Sequence, residues 1–495
     1  MRSPGFRRVS AAALLFLAAV SVAGCNGTES GKTDVIVIGD APTLVDPAAG
    51  ALTEPQAVLL SGVAQGLVQF DAAGQIVPGL AERWNVTDDG LSYIFRIQSA
   101  EWPDGQKVTA QQVARLLRRQ IAGRSKNPLK DTLGAIDEIV PMTDRVIEIR
   151  LKAPRPHLLQ ILAQPQFGIV REQQGTGPFR LATDIKPGEP LTLERGVSNP
   201  DEEVVVEEVV TLSGRSVQTA VRSFLNGDAD LVLGGTFADL PFTRVKDMPK
   251  DALQFDPAAG LFGLVPARAD GPASDREVRR LLSEAIDRQA LIDALGVPGL
   301  LPRATILEPG LDGVPNPIAP PWLAIPIDRR RVQMASTAER LFGDLERPVV
   351  RVALPDAPGS RILLSRLASD WGALGLTVEA AKPGEPADFR LIDAVAPSTS
   401  PAWYLRNFRC GEVAVCEPEV DDLLEGARAA TVGAQRNGML AQAAQRMDEE
   451  QLFIAIAAPI RWSLVSGRVQ GFATNRFARH TLTSLGQRLD RERAD

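Results

Sequence analysis

The stretch LIDAVAPSTSPAWYLRNFRC, residues 391–410, gathers side chains suited to holding a small polar molecule. Asp393 offers a carboxylate to a ligand amine. Trp403 and Tyr404 offer flat walls to apolar groups, and Arg406 and Arg409 offer forked donors to a ligand carboxylate. Turn-forming Pro and Ser residues separate the carboxylate from the aromatic pair. The same residues also suit plain packing, with Trp403 and Tyr404 capping a hydrophobic edge and the arginines facing water. These five residues are the candidate ligand contacts.

Other chemistries are poorly served. The chain has two histidines, His157 and His480, too few for a His-rich zinc or nickel cage. His157 follows Pro156 and reads as a loop or helix-start residue. There is no Gly-x-Ser-x-Gly elbow and no phosphate-cradling Walker loop. Carboxylates are plentiful, but no local constellation marks a hydrolase. The expectation is a non-enzyme with no metal and no cofactor. A net charge of −7 gives no default basic face for nucleic acid.

The three cysteines point to an exported protein. MRSPGFRRVSAAALLFLAAVSVAGC places Arg2, Arg7 and Arg8 before an apolar run from Ala11 to Ala23, the form of an export signal and short for a membrane span. Val22-Ala23-Gly24-Cys25 resembles a lipobox, in which Cys25 becomes the diacylated first residue of the mature chain. A plain secretory signal with a chance cysteine is the alternative. Removing the three arginines would take the net charge to about −10. Cys410 and Cys416 are spaced for a disulfide closing a short loop, with free buried thiols as the alternative.

The elements that must position these groups read as α/β. At 495 residues the chain is too long for one ordinary core. DVIVIGD (34–40) predicts a first strand and Ser92–Ile97 another, and a strand pair turns at Thr143-Asp144. In SAEWPDGQKVTAQQV (99–113), Pro103-Asp104-Gly105 forms a turn and Thr109 with Gln112 forms a capping box. Val113, Leu116, Leu117 and Ile121 then share one helical face. Asn226-Gly227 ends another helix. SDREVRRLLSEAIDRQALIDAL carries the strongest helix pattern, with Ser274 and Glu277 as its capping box. Pro and Gly enrichment over 297–327 predicts a long loop.

The segment PGLAERWNVTDDGLSYIFRIQSAEWPDGQKVTAQQV (78–113) resembles the bacterial extracytoplasmic solute-binding proteins of the dipeptide/oligopeptide/nickel class that serve ABC importers. The ordered set is Pro78, Leu80-Ala81, Trp84, Asp89-Gly90, Tyr93, Phe95, Trp102, Asp104-Gly105 and Thr109-Ala110. GTGPF (175–179), Ala285-Ile286-Asp287-Arg288 and SGRVQGF (466–472) follow in the family order. The resemblance implies a bilobal periplasmic-binding-protein-like clamp with an additional insert domain. Its segments would be a lipoprotein signal peptide over 1–24, tether and start of lobe I over 25–59, and the insert over 60–165. Lobe I would continue over 166–265, lobe II would span 266–458, and 459–495 would return to lobe I. It also implies that Trp102 organises the insert rather than touching ligand. The implied role is capture of a small solute, foremost a short peptide, between two lobes for delivery to an inner-membrane permease with its ATPase subunits. The protein would be a monomer, periplasmic or otherwise extracytoplasmic, and lipid-anchored. A nickel chelate, a sugar or a non-transport surface scaffold are the alternatives. The resembling proteins place part of their lobe II cleft wall near 391–410. Two departures weaken the peptide expectation: the aromatic pair common in the family is missing after LTLERG, and GLFGLVPARADG lacks the usual aromatic-then-Asn strand ending. Asp393, in addition, does not align securely with the family's amine-binding Asp.

Overall fold

The predicted first strand forms as Lys32–Ile38, with Val35, Ile36 and Val37 buried in succession. A run buried on both faces belongs inside a sheet flanked on both sides, not at a solvated edge. This strand pairs in parallel with Val204–Arg215 and with Leu231–Thr236, near the middle of a seven-stranded sheet. The computed structural model describes residues 32–182, 188–199, 204–343 and 348–486. The leader, Cys25 and the polar tether lie outside the described residues.

Among the described residues two further large sheets frame the molecule, beside two small two-stranded ones. A five-stranded sheet orders Thr377–Ala381, Val349–Ala353, Phe389–Val395, Gly260–Pro266 and Ile454–Ala457. A four-stranded antiparallel sheet orders Ala81–Val86, Ser92–Ile97, Val146–Leu151 and Ile136–Thr143. The chain passes from the seven-stranded to the five-stranded sheet between Phe255 and Gly260, and returns between Ala457 and Arg461. Two short crossings joining two sheets form the natural place for a hinge.

The WPDG segment builds the core of the four-stranded body. Trp102 is 1% exposed and packs with Phe95, Val113, Leu117 and Ile149. Its indole Nε1 donates to Gln112 Oε1 at 3.1 Å, and the same oxygen accepts the Thr109 backbone N–H at 3.1 Å. The capping box of helix Ala110–Ile121 is therefore tied to the core tryptophan. Gly105 takes φ +81°, the left-handed turn conformation open to glycine. Arg171 closes the unit from outside: its guanidinium stacks 4.6 Å from the Trp102 ring, bonds Gln106 Oε1 and pairs with Asp104.

Two details depart from the sequence expectation. The long helix pattern after residue 274 is two helices, Arg276–Ala285 and Arg288–Leu295. The first is capped by Asp275, not Ser274, because the Asp275 carboxylate reaches both Glu277 N and Val278 N. Ser274 instead ends a short turn and donates to Gly271 O. The break falls at Asp287, whose side chain caps the second helix and whose backbone N–H is taken by the buried Asp370 carboxylate. The GTGPF turn has a steric reason. A Cβ on Gly175 would stand 2.1 Å from Val63 O, and one on Gly177 2.4 Å from Gly62 O. Only glycine lets this turn lie against the end of helix Glu54–Val63.

Candidate functional site

After strand Phe389–Val395 the chain turns through Pro397–Ser400 into helix Pro401–Arg406. This turn leans on the four-stranded body. Gln164 Nε2 donates to Pro397 O at 2.8 Å, and Thr399 N donates to Gln160 Oε1 at 2.8 Å. The Thr399 hydroxyl bonds Asp312 and stands 3.2 Å from His157 Nδ1. His157 occupies the cap position of helix Leu158–Leu162, as its place beside Pro156 predicts. Burial pushes its pKa down to about 4 against the opposing pull of Asp312, so it is neutral at pH 7.

A cavity of about 100 Å³ opens beside this seam. Its walls come from two bodies: Asp131–Ile136 and Arg155–Ile161 on one side, Ser398–Arg409 and Leu424–Leu440 on the other. An adjoining recess of about 310 Å³ shares Asp131, Thr132, Trp403, Arg406 and Arg409, and adds Arg390. A larger groove of about 780 Å³ around Phe224, Lys250 and Arg468 is walled by segments of the seven-stranded body and its return alone, so lobe movement would not close it.

The five candidate contacts divide between these surroundings. Trp403, Arg406 and Arg409 line the cavity. Tyr404 points away and is fully buried, donating its hydroxyl to Glu308 Oε1 at 2.5 Å. Burial and the neighbouring Glu308 hold that phenol neutral far above the physiological range. Asp393 is also turned inward, where its Oδ1 meets Arg461 Nη1 at 2.8 Å. Helix geometry explains the first division: Trp403 and Arg406 are three residues apart and share a face, whereas Tyr404 lies about 100° round. Cys410 and Cys416 are bridged, with Cα atoms 5.2 Å apart. Cys410 N donates to the Asp421 carboxylate, which ties the exit of this segment to helix Pro418–Ala429.

The sequence reading missed the partners of Arg406. Arg155 reaches over from the four-stranded body and donates to Arg428 O at 2.9 Å. Arg406 returns the contact, donating to Asp131 O at 2.9 Å. Arg436, only 8% exposed, stands in the first turn of helix Gly433–Glu449. Burial, then the nearby Arg436, Arg428 and Arg406, push the Arg155 pKa down to about 10. Burial lowers those of Arg406 and Arg436 too. The missed residues lack a local motif, since each is a single arginine on a helix or loop.

A family model, bacterial extracellular solute-binding proteins, family 5 (middle region), matches residues 75–396. The chain belongs to this family. It is 21% identical over 471 residues to the periplasmic oligopeptide-binding protein OppA of Escherichia coli K12, covering 84% of this chain and 86% of that one. Its fold is shared with Haemophilus influenzae OppA in complex with the peptide RPPGFSPFR, at TM-score 0.76 and 18% identity, over 92% of this chain and 98% of that one. It is shared too with the E. coli murein tripeptide binding protein MppA, at TM-score 0.77 and 20% identity with the same coverage. These relatives are named as binding proteins. Among the described residues, no group of three His, Cys, Asp or Glu is placed to hold a metal, and no helix is long and apolar enough to cross a membrane.

Proposed function

We propose that this solute-binding protein captures a small solute, foremost a short peptide, and delivers it to an inner-membrane ABC permease with its ATPase subunits. The seven-stranded body is read as lobe I, the four-stranded body as the insert and the five-stranded body as lobe II. The observation that carries this reading is the cavity walled jointly by insert and lobe II, beside a seam of side chain-to-backbone hydrogen bonds. A solute bound there touches both bodies, so it binds the closed arrangement better than an open one and shifts the population toward it. The peptide choice leans on the oligopeptide- and tripeptide-binding relatives.

Trp403, Arg406 and Arg409 are the proposed ligand contacts from the sequence set. Mass spectrometry of what the purified protein carries identifies the solute class. The identified solute, added at one hundred times its Kd, should stabilise the protein by about 2.7 kcal/mol. Trp403→Ala and Arg406→Gln should each weaken its binding about tenfold or more, the loss of one good contact. Asp393→Asn serves as the comparison, since Arg461 already holds that carboxylate. Unchanged affinity in both cavity variants would remove the segment from the site.

The leader and Cys25 support a lipid-anchored, extracytoplasmic protein. Intact mass of membrane-extracted protein should show a diacylated, N-acylated chain beginning at Cys25. A mature chain beginning elsewhere, or lacking lipid, would reject the anchor.

A further inference from the structure

The cavity carries more positive charge than its own carboxylates match. Five arginines line it: Arg155, Arg406, Arg409, Arg428 and Arg436. The lining carboxylates are Asp131 and Glu425, and Glu425 is engaged by Arg428 at 2.9 Å. Asp131 attracts Arg406 at longer range, but the hydrogen bond between them goes to the Asp131 backbone carbonyl. The structure gives Arg155 two backbone carbonyls and Arg436 the side-chain oxygen of Asn437 at 3.3 Å. His157, on the same wall, is neutral at pH 7. Among the described residues, Arg155, Arg406 and Arg436 thus have no carboxylate within ion-pair distance.

Such an arrangement is costly unless something compensates it. A buried cation without a counter-charge loses hydration and regains it only through an anion or dense hydrogen bonding. Arg436 is in addition near the positive end of its own helix, where a cation is disfavoured. Beyond burial, the larger cause in each case, Arg436 and Arg406 push down the pKa of Arg155 and Arg436 pushes down that of Arg406, as like charges held close together do. The remaining wall is apolar, through Leu133, Ile136, Leu158, Leu424 and Leu440. The adjoining recess adds one charge of each sign, Arg390 and Glu412, so the excess stays with the cavity arginines, and the two spaces together reach the size of small-molecule sites, about 300–1,000 Å³.

We propose that the solute bound here carries at least two negative charges, held by Arg155, Arg406 and Arg436, with its less polar part against the leucine wall. For a peptide, the charges are an acidic side chain and the terminal carboxylate; free polycarboxylates and phosphate esters share the same chemistry. The inference rests on the solute-capture reading and narrows its substrate class.

The test is isothermal titration of the full mature protein, stripped of bound solute, at pH 7.5 and low salt. The probes are triglutamate, trialanine, trilysine, citrate and glycerol 3-phosphate. At least one anionic probe should bind, about tenfold or more tighter than trialanine, and weaken with added salt. Arg436→Met should lose that preference about tenfold while raising the midpoint of thermal unfolding without ligand, because an uncompensated buried charge is gone. If Arg436→Met does not fold, Arg155→Met provides the same affinity reading. Trialanine or trilysine binding as tightly as triglutamate overturns the anion inference and leaves solute capture standing. Citrate or glycerol 3-phosphate binding, with no peptide bound, keeps the inference and overturns the peptide choice. Failure of all three anions overturns the inference, and mass spectrometry of the carried solute then judges the capture reading on its own.

Discussion

Trp102→Ala is expected to unfold the four-stranded body before the rest of the molecule. Removing a buried tryptophan from a close-packed core costs about 3–5 kcal/mol. Here the loss spreads further. Gln112 Oε1 keeps only its bond to Thr109 N, so the start of helix Ala110–Ile121 is less firmly fixed. Arg171 loses the ring beneath its guanidinium and is left to Asp104 and Gln106 of the turn. The core around Trp102 is separate from the cores of the two larger sheets, so its failure need not propagate. Urea unfolding followed by hydrogen exchange should show early loss of protection over 81–151, with the seven-stranded sheet still protected. Solute affinity should fall with it, because Asp131–Ile136 and Arg155 form one wall of the cavity. A conservative Trp102→Phe should keep most of the packing but not the bond to Gln112, and so fall between the two. A single unshifted transition in Trp102→Ala would show that this tryptophan does not organise the body.

The contrast between this unit and the cavity explains what could be read from sequence. The turn, the capping box and the apolar face of helix Ala110–Ile121 are encoded within some twenty consecutive residues, and each is enforced by local geometry. The strands Lys32–Ile38 and Ser92–Ile97 were legible for the same reason, since burial alternation or continuity is written along the strand. The break at Asp287 was not, because the group that takes its backbone N–H is Asp370, 83 residues on. The cavity is the extreme case. Arg155 meets Arg428 across 273 residues and Arg406 meets Asp131 across 275. Nothing about a single arginine on a helix announces such a partner. Sequence picked out Trp403, Arg406 and Arg409 because they cluster, and it included Asp393 and Tyr404 for the same reason. Only the fold separates residues that face the cavity from neighbours committed to internal pairs.

Asp393 and Arg461 yield the second large effect, and its sign follows from where the charge is left. Arg461 opens the strand that returns to the seven-stranded sheet, immediately after the crossing from Ala457. Asp393 lies on the five-stranded sheet opposite Phe262, so the pair spans the two sheets at the hinge. Burial raises the Asp393 pKa, while the Arg461 guanidinium opposes that rise by attraction and hydrogen bonding. Replacing Arg461 with Met removes the opposing influence and leaves a largely buried carboxylate, 15% exposed, without a counter-charge, a loss of about 3 kcal/mol at pH 8, the low end for a broken buried pair. The folded pKa then moves further above the ordinary 3.8. A group whose folded pKa is raised contributes stability that is full below its unfolded value and is lost as pH rises through the folded value. The deficit of Arg461→Met should therefore shrink as pH falls from 8 toward 4, whereas the parent protein should show a shallower slope from this group. Asp393→Asn alone should cost less, about 1 kcal/mol, because Arg461 keeps the carbonyls of Ile460 and Asp393. Adding Asp393→Leu to Arg461→Met should restore most of the loss and abolish the extra pH dependence, since no charge remains to be desolvated. Thermal unfolding of the four proteins at pH 5 and pH 8 checks all of this. A deficit in Arg461→Met that does not change with pH, or that the second substitution fails to relieve, would mean that the hinge is held by packing at this point and not by the ion pair.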